Sequence, residues 1–379
     1  MKSLLFLLVA LCVTFSGFAA PQQNSDPEIL STKGGRRSYK GVYPAHVKTI
    51  AVITPASYPN PKNGNAGIKL LRKAGYKVKI YPNVFNRPEG VEKNRYRAIP
   101  VELRVKDFEA AWCDMENDMI ICARGGSGTE DLVAKVNWAK LPRRPELYVM
   151  GYSDVTMLLS ALSAKGYGRP VAGPNITAHP GLYPAIIPEM KKMFHGEALT
   201  PIKLKTFVPG DCSGKVVAGL LSRFVRVTRA KYGLKTKGKI IVIECVRSNP
   251  ERIRKDLEEL YANKFFEGAA GVVYGHFLQS GDQNVVNAIL KEFSAKLNIP
   301  VYKGFPFGHN SRHLAIDFAR EAVIKNGVIT FPAVKYEFCR TAELQTAAAL
   351  CRLPERLPAS RVKSPYLPAD ESCSKVAGK

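Results

Sequence analysis

The residues best suited to chemistry in this sequence lie in the stretch 148–156, YVMGYSDVT. A short apolar run typical of a buried strand ends at Gly151, Ser153 follows on a tight turn, and an apolar segment typical of a helix begins at once. A serine between a strand and a helix can present its hydroxyl as a nucleophile, beside the free N–H groups of the helix N-terminus. The simpler interpretation is that Ser153 caps the helix, with Asp154 in its first turn.

Two further residues could complete a nucleophilic site. Glu244 interrupts the apolar run 239–246, where a carboxylate is costly unless it is paired, and His309 follows Gly308 in a loop. In chain order, Ser153, Glu244 and His309 supply a nucleophile, a carboxylate that orients an imidazole, and a base. The alternatives are a salt bridge between Glu244 and an arginine, and a surface position for His309. The motif G-x-S-D also differs from the G-x-S-x-G of ordinary α/β-hydrolases.

A glycine-rich turn, RGGSG at residues 124–128, follows another buried-type strand and is called the glycine turn below. Its backbone could cradle a phosphate or donate N–H groups to an oxyanion. It lacks the Lys-Ser/Thr of a P-loop and the spacing of a dinucleotide fingerprint. A metal site made by His309 and His313 is disfavoured, because residues 310–312 begin a helix poorly and no third ligand is evident. We therefore expect neither a metal nor a cofactor.

The elements that must position these residues alternate between strands and helices. In the first half we predict strands at 49–54, 77–81, 118–123 and 147–150, and helices at 67–74, 101–112, 130–138 and 155–162. In the second half we predict strands at 239–246 and 271–277, helices at 250–262 and 282–297, and a hairpin at 322–331. This order predicts an α/β fold whose first domain has a parallel, Rossmann-like sheet. Sites in such sheets form at the carboxyl ends of the strands, where the glycine turn and Ser153 both lie.

Composition shifts divide the chain into segments. We predict a signal peptide at 1–20, a basic flexible leader at 21–47, an N-terminal α/β domain at 48–185 that carries the nucleophile, a linker at 186–212, a C-terminal domain at 213–332 that carries the glutamate and histidine, and a basic tail at 333–379.

The first 20 residues indicate export. Lys2 precedes an apolar run of signal-peptide length, and small residues lead to an expected cleavage near Ala20. No later run is apolar for long enough to cross a membrane. We therefore expect a periplasmic or extracellular protein. The formal net charge of +24 then suggests an anionic cell-wall or membrane surface as partner rather than nucleic acid, or a charge that only aids solubility.

The eight cysteines show no C-x-x-C spacing, which argues against a zinc ribbon or a redox motif. Apolar surroundings indicate that Cys113, Cys122 and Cys245 are small core residues. In an exported protein, one bridge among the cysteines of the tail is plausible, with its pairing left open. These are Cys339, Cys351 and Cys373.

Four segments, in order, resemble the L,D-carboxypeptidase family, peptidase family S66, which includes muramoyl-tetrapeptide carboxypeptidases and microcin-immunity peptidases. The segments are ICARGGSGTEDL, GYSDVTMLLSAL, IIVIEC and FPFGHNSRH. The resemblance runs from about residue 48 to about residue 332. It implies an N-terminal α/β domain, a smaller C-terminal mixed α/β domain, an active site at their interface, and a homodimer.

The resemblance also implies residue roles. Ser153 is the expected nucleophile, completed by Glu244 and His309. The expected oxyanion hole is formed by the backbone N–H groups of Asp154 and Gly126. Contacts with the substrate are expected from the glycine turn, at Arg124, Gly125 and Ser127.

The chain departs from the family pattern at three places, which concern substrate choice more than chemistry. Ser127 stands where an aromatic residue is usual, residues 218–221 (AGLL) replace G-G-N-L, and residues 245–249 lack the usual acidic side chains. The expected function is removal of the terminal D-alanine from murein tetrapeptides or peptidoglycan. The alternatives are a microcin-immunity-type peptidase acting on a peptidyl-nucleotide, a non-catalytic muropeptide-binding protein, and a basic structural protein of the wall.

Overall fold

The computed structural model describes residues 37–230 and 232–336. Its helices are α1 (Pro61–Lys73), α2 (Val101–Cys113), α3 (Thr129–Lys135), α4 (Thr156–Lys165), α5 (Ile186–His195), α6 (Leu221–Arg229), α7 (Pro250–Ala262) and α8 (Gln283–Ser294). Its strands are β1 (Thr49–Ile53), β2 (Lys77–Ile80), β3 (Met119–Cys122), β4 (Tyr148–Gly151), β5 (Arg169–Ala172), β6 (Ile202–Lys203), β7 (Lys205–Val208), β8 (Cys212–Leu220), β9 (Ile240–Val246), β10 (Gly271–Leu278), β11 (Val301–Lys303), β12 (Ile316–Asp317), β13 (Glu321–Lys325) and β14 (Val328–Thr330). Short 3-10 helices span Trp138–Lys140, Ser153–Val155 and Ile176–Gly181.

The first sheet has the strand order β12-β5-β4-β3-β1-β2. Strands β1 to β5 pair in parallel, and β12 closes one edge in the antiparallel direction. Every residue of β1, β3 and β4 is buried, as expected for strands covered on both faces. The prediction of a parallel α/β sheet is confirmed. The carboxyl ends of β3 and β4 lead into the glycine turn and Ser153, respectively.

The second sheet has the order β6-β14-β13-β8-β9-β10-β11-β7. Its centre is parallel, from β8 to β11, and antiparallel strands flank it on both sides. Strand β9, which carries Glu244, lies between β8 and β10. The mixed character expected of the second domain is confirmed, and so is the hairpin that turns at Asn326 and Gly327.

Helix α7 begins and ends where the sequence predicts, because its signals are local. The side chain of Asn249 accepts a hydrogen bond from the backbone N–H of Arg252, and Pro250 occupies the first turn, where no N–H is needed. Asp282 caps α8 in the same way, through the N–H of Asn284.

Two segments differ from the sequence prediction. Residues 37–47, assigned above to a flexible leader, are packed: Tyr39 and Tyr43 are buried, and Tyr43 meets Phe194 edge to face at 5.0 Å. The basic residues around these tyrosines indicated a solvated arm, but the aromatic rings fill the gap between the first sheet and α5. The predicted linker contains α5 itself, whose Pro188 lies in the first turn of the helix and so breaks no hydrogen bond.

The boundary between the two halves is crossed by one short strand. β12 belongs to the C-terminal half of the sequence, yet it pairs with β5 of the first sheet. Asp317 in β12 is fully buried and forms an ion pair with Arg169 of β5 at 2.6 Å. The chain therefore returns to its first sheet just after the loop that carries His309, which anchors that loop against the N-terminal half.

The cysteines divide into two kinds. Cys122 and Cys245 are buried, as predicted, and both are free, whereas Cys113 is half-buried and disulfide-bonded, so its assignment as a small core residue is wrong. The tail cysteines lie outside the described residues, as do the predicted signal peptide and the predicted tail from residue 337. In the part of the chain that the structure describes, no helix has the length and apolarity needed to span a membrane.

Candidate active site

Ser153 lies just beyond β4 in a conformation that few residues adopt. Its φ angle is +67°, in the left-handed region that is disfavoured for a residue with a side chain. The preceding Gly151 is required by close packing, since a β-carbon there would lie 2.7 Å from Val155 and 2.9 Å from Asn175. Such strain persists only where the surroundings impose it, and it is common at functional sites.

The three predicted side chains form one hydrogen-bonded chain. Ser153 Oγ lies 2.9 Å from His309 Nε2, and His309 Nδ1 lies 2.9 Å from Glu244 Oε2. The carboxylate accepts from Nδ1–H, which leaves Nε2 free to accept the hydrogen bond from the serine hydroxyl. This arrangement can deprotonate a serine as it attacks a carbonyl group.

Glu244 is buried within β9, with 1% of its surface exposed. Its partner is His309, so the alternative of an arginine salt bridge is wrong. Its second oxygen, Oε1, is buried and has no hydrogen-bond partner among the described residues. Gly308 leaves room for this carboxylate: its φ angle is +141°, and a β-carbon there would lie 3.3 Å from Glu244 Oε2.

Aromatic packing fixes the loop that carries His309. The ring of Tyr152 lies 5.0 Å from that of His309 and 4.5 Å from that of His313. Burial lowers the pKa of His313 to about 3, and its Nδ1 lies 2.7 Å from the carbonyl oxygen of Gly308. Burial, together with the nearby charge of Glu244, raises the pKa of Tyr152 to about 12. Both side chains are therefore neutral near pH 7, and His313 contacts the backbone of its own loop at Gly308.

The glycine turn lies directly against the serine. A β-carbon on Gly125 would be 2.8 Å from Ser153 Cβ and 3.1 Å from its Oγ. Gly126 has a φ angle of +114°, and a β-carbon there would be 2.3 Å from Ser57 Oγ. Ser57 Oγ in turn accepts from the N–H of Ser127 at 3.0 Å. The turn can approach Ser153 only because these two positions are glycine.

Asp154, predicted as a backbone donor, also has a structural role through its side chain. The buried carboxylate accepts from the N–H of Thr129 at 2.9 Å and from Arg223 Nε at 2.5 Å. Arg223 also donates to the carbonyl oxygen of Gly126 at 3.0 Å. Arg223 is not among the predicted site residues, because an arginine in the first turn of an amphipathic helix has no local signal that separates it from a surface residue.

The predicted substrate contacts Arg124 and Ser127 both have partners within the protein. Arg124 Nη1 donates to the carbonyl oxygens of Tyr58 at 2.7 Å and Arg95 at 2.8 Å. Ser127 Oγ donates to the carbonyl oxygen of Tyr96 at 2.9 Å. These bonds hold the glycine turn to the loop around Tyr96. A β-carbon on Gly126 would lie 3.4 Å from the ring of Tyr96, so this aromatic residue covers the turn from a separate loop.

No group of three or more histidine, cysteine, aspartate or glutamate side chains in residues 37–230 and 232–336 is arranged to hold a metal ion.

Comparison with known proteins places this chain in a family. The family described as "LD-carboxypeptidase N-terminal domain" matches residues 50–171, and the family described as "LD-carboxypeptidase C-terminal domain" matches residues 213–324. The chain is 26% identical over 307 residues to the "Probable murein peptide carboxypeptidase" of Bacillus subtilis (strain 168), covering 75% of this chain and 93% of that one. It is 24% identical over 292 residues to the "Murein tetrapeptide carboxypeptidase" of Pseudomonas aeruginosa, covering 73% and 92%.

Solved structures share the fold. The muramoyltetrapeptide carboxypeptidase from Oxalobacter formigenes superposes with a TM-score of 0.65 at 24% identity, covering 77% of this chain and 100% of that chain. The microcin C7 self-immunity protein MccF superposes with a TM-score of 0.65 at 19% identity, covering 77% and 97%. At these identities the likeness concerns the two-domain architecture.

Proposed function

Since this chain belongs to the LD-carboxypeptidase family, peptidase family S66, we propose that it is a serine L,D-carboxypeptidase that removes the terminal D-alanine from murein tetrapeptides. The observation that carries the proposal is the continuous hydrogen-bonded chain from Ser153 through His309 to Glu244, with 2.9 Å at each step. The names of the relatives from Bacillus subtilis and Pseudomonas aeruginosa support the substrate class.

The mechanism follows from the order of the three groups. His309 Nε2 takes the proton from Ser153 as its Oγ attacks the carbonyl between the L-configured centre and D-alanine. The buried charge of Glu244 stabilises the imidazolium that forms. The imidazolium then protonates the leaving amine, and D-alanine departs from an acyl-enzyme. A water molecule, deprotonated by the same imidazole, hydrolyses the ester and releases the tripeptide.

The developing oxyanion needs hydrogen-bond donors beside Ser153. We assign this role to the backbone N–H groups of Asp154 and Gly126. Asp154 lies in the first turn of a short helix, where N–H groups have no acceptor within the helix. Gly126 belongs to the same turn as Gly125, which contacts the serine. Donors fixed in this way are typically worth a hundredfold or more, roughly, in kcat.

Two of the three alternative functions make different demands on the site. A non-catalytic muropeptide-binding protein would have no need of an imidazole between a serine hydroxyl and a buried carboxylate, so the geometry argues against it. A peptidyl-nucleotide substrate, as acted on by a microcin-immunity-type peptidase, would use the same three residues. The L,D-carboxypeptidase and the microcin-immunity-type peptidase therefore differ in their substrates and not in their catalytic residues.

The proposal includes export to the periplasm or cell surface, supported by the sequence pattern of residues 1–20 and by the net charge of +24, which suits an anionic wall. N-terminal sequencing of the protein from a cell-envelope fraction should give a start near Pro21; an intact Met1 in the cytoplasm would contradict it. A homodimer is proposed from the family resemblance, and sedimentation at micromolar concentration tests it.

The decisive experiment is incubation of the mature protein with purified muropeptides, followed by mass analysis. We expect the loss of one alanine from tetrapeptides and no such loss with Ser153→Ala, whose circular dichroism should match that of the native protein. Covalent labelling of Ser153 by a serine-directed probe, without cleavage of any muropeptide, would instead favour a peptidase with another substrate. Full activity of Ser153→Ala would refute the proposed nucleophile.

A further inference from the structure

Three arginine side chains gather around Tyr96, next to the glycine turn that contacts Ser153. Arg247 Nη1 donates to Tyr96 Oη at 2.7 Å, and Arg95 Nη2 donates to the same oxygen at 2.9 Å. The guanidinium groups of Arg95 and Arg124 lie 5.0 Å and 5.7 Å from the centre of the Tyr96 ring. We call Arg95, Arg124, Arg247 and Tyr96 the arginine cluster.

The arginine cluster spans the two halves of the molecule at the site. Arg247 follows β9 and lies three residues after Glu244, with a φ angle of +54°, and its Nε donates to Gln279 at 2.9 Å. Arg95 and Tyr96 come from the loop that hydrogen-bonds to Ser57 and Ser127 of the first half. The charges therefore converge from both sides on the region beside Gly126.

Among the described residues, no carboxylate pairs with the positive charge of the arginine cluster. Within the described residues, Arg95, Arg124 and Arg247 form no ion pair with an aspartate or glutamate. Burial lowers the pKa of Arg124, and the charges of Arg95 and Arg247 lower it further. Although burial acts in the other direction, hydrogen bonds and charge from Arg95 and Arg247 lower the pKa of Tyr96.

Donors remain available on two of these arginines. A guanidinium carries five N–H donors, and the described partners of Arg247, Tyr96 and Gln279, take two of them. Arg95 and Arg247 are both exposed, so a ligand can reach them. Arginine binds a carboxylate with two parallel hydrogen bonds, which gives direction as well as affinity.

We propose that Arg247 and Arg95 bind the α-carboxylate at the C-terminus of the peptide substrate. This assignment rests on the proposed carboxypeptidase function, because an enzyme that removes one terminal residue must recognise the free end beside the bond it cuts. Tyr96 holds the two guanidinium groups at a common oxygen, and Arg124, whose own donors bind backbone carbonyls, supplies charge from behind. Residues 245–249 lack acidic side chains, and they thus contribute a cation, Arg247, where the substrate carboxylate binds.

The test compares a murein tetrapeptide with the same peptide amidated at its C-terminus, using native protein, Arg247→Gln and Arg95→Gln. The matched control is Arg254→Gln, which removes one positive charge from the exposed face of α7, where Arg254 pairs with Glu292. We expect native protein to prefer the free acid. Arg247→Gln should lower kcat/KM for the acid by about tenfold to a hundredfold, as loss of a charge-assisted hydrogen bond implies, and leave the amide unchanged. Arg254→Gln should alter neither.

A binding titration makes the result independent of turnover. Ser153→Ala and the double variant Ser153→Ala/Arg247→Gln are titrated with the acid and with the amide. We expect the second substitution to weaken binding of the acid alone. Equal weakening of both peptides, no weakening of either, or no binding at all would overturn the subsite.

A third peptide, amidated only at the side-chain carboxyl upstream of the scissile bond, distinguishes the two possible carboxylates. If Arg247→Gln loses its effect on that peptide, the assignment to the C-terminal carboxylate is wrong. Competition by AMP that disappears in Arg247→Gln, without discrimination between acid and amide, would overturn it in favour of a phosphate. Failure of the proposed function is a separate result, seen as acid-selective binding without any cleavage.

Discussion

Glu244 carries its charge inside a strand, where His309 is its hydrogen-bond partner among the described residues. A buried carboxylate with one oxygen left unpaired is costly for stability, so its presence calls for another explanation. The explanation at hand is chemical: a full negative charge next to the imidazole fixes which nitrogen is protonated and favours the imidazolium. The buried carboxylate of Glu244 therefore contributes to reactivity rather than to stability.

The substitution Glu244→Gln separates these two contributions. We expect kcat to fall by about a thousandfold to ten-thousandfold with little change in KM, since the amide keeps the shape but neither neutralises the imidazolium nor fixes its tautomer. We expect the thermal midpoint to stay the same or to rise, because a buried charge is removed. Glu251→Gln, at an exposed position in the first turn of α7, is the control. A kcat within threefold of native would show that Glu244 does not act on His309.

At the scale of elements, the site depends on how closely two loops approach. The glycine turn after β3 and the serine turn after β4 start from neighbouring parallel strands, so the sheet brings them to one edge. The two turns pack more closely than a side chain at Gly125 would allow, since a β-carbon there would lie 2.8 Å from Ser153 Cβ. Parallel pairing therefore sets the neighbourhood, and the glycines set the distance.

Adding one methyl group at this contact tests the point. In Gly125→Ala the new β-carbon would lie too close to Ser153 Cβ, so the serine must move. A displacement of about 1 Å in a catalytic group costs on the order of a hundredfold in rate. We expect that loss in kcat, and slower labelling by a serine-directed probe, with the fold retained. Gly181→Ala, where a β-carbon would have open space, is the control. Equal activity in the two variants would contradict the tight contact.

The sequence predicted the parts of this arrangement that have local signals. Each of the three site residues is a polar residue that follows or interrupts an apolar run in the sequence. They are Ser153, Glu244 and His309. Helix α7 was predicted to the residue because its cap and its proline are adjacent in sequence. Helix α5 and strand β12 were missed for the opposite reason. They are stabilised by partners far away in sequence, such as Tyr43 for α5 and strand β5 for β12, and a short stretch of sequence does not contain these partners. Arg223 and Arg247 were missed on the same grounds.

At the scale of the whole molecule, the site is complete only while the two halves keep their relative position. The nucleophile comes from the first sheet, and the base and carboxylate come from the second half. Helix α6 joins them through two arginines of different character. Arg223 reaches buried Asp154 beside Ser153, with side chains 17% and 4% exposed, whereas Arg226 reaches Glu130 at the surface, with side chains 53% and 37% exposed. These pairs lie one turn apart on the same helix, so they compare a buried ion pair with an exposed one.

The variants Arg223→Ala and Arg226→Ala therefore form a matched pair. Removing Arg223 leaves the carboxylate of Asp154 buried without its cation, which we expect to cost about 3 kcal/mol of stability. Removing Arg226 breaks an exposed pair, which is worth less than about 1 kcal/mol. Urea denaturation followed by tryptophan fluorescence measures both. The double variant Arg223→Ala/Asp154→Asn should recover part of the loss, because no uncompensated charge remains. Equal costs for the two arginines would mean that packing between the halves, and not the buried ion pair, holds Ser153 opposite His309.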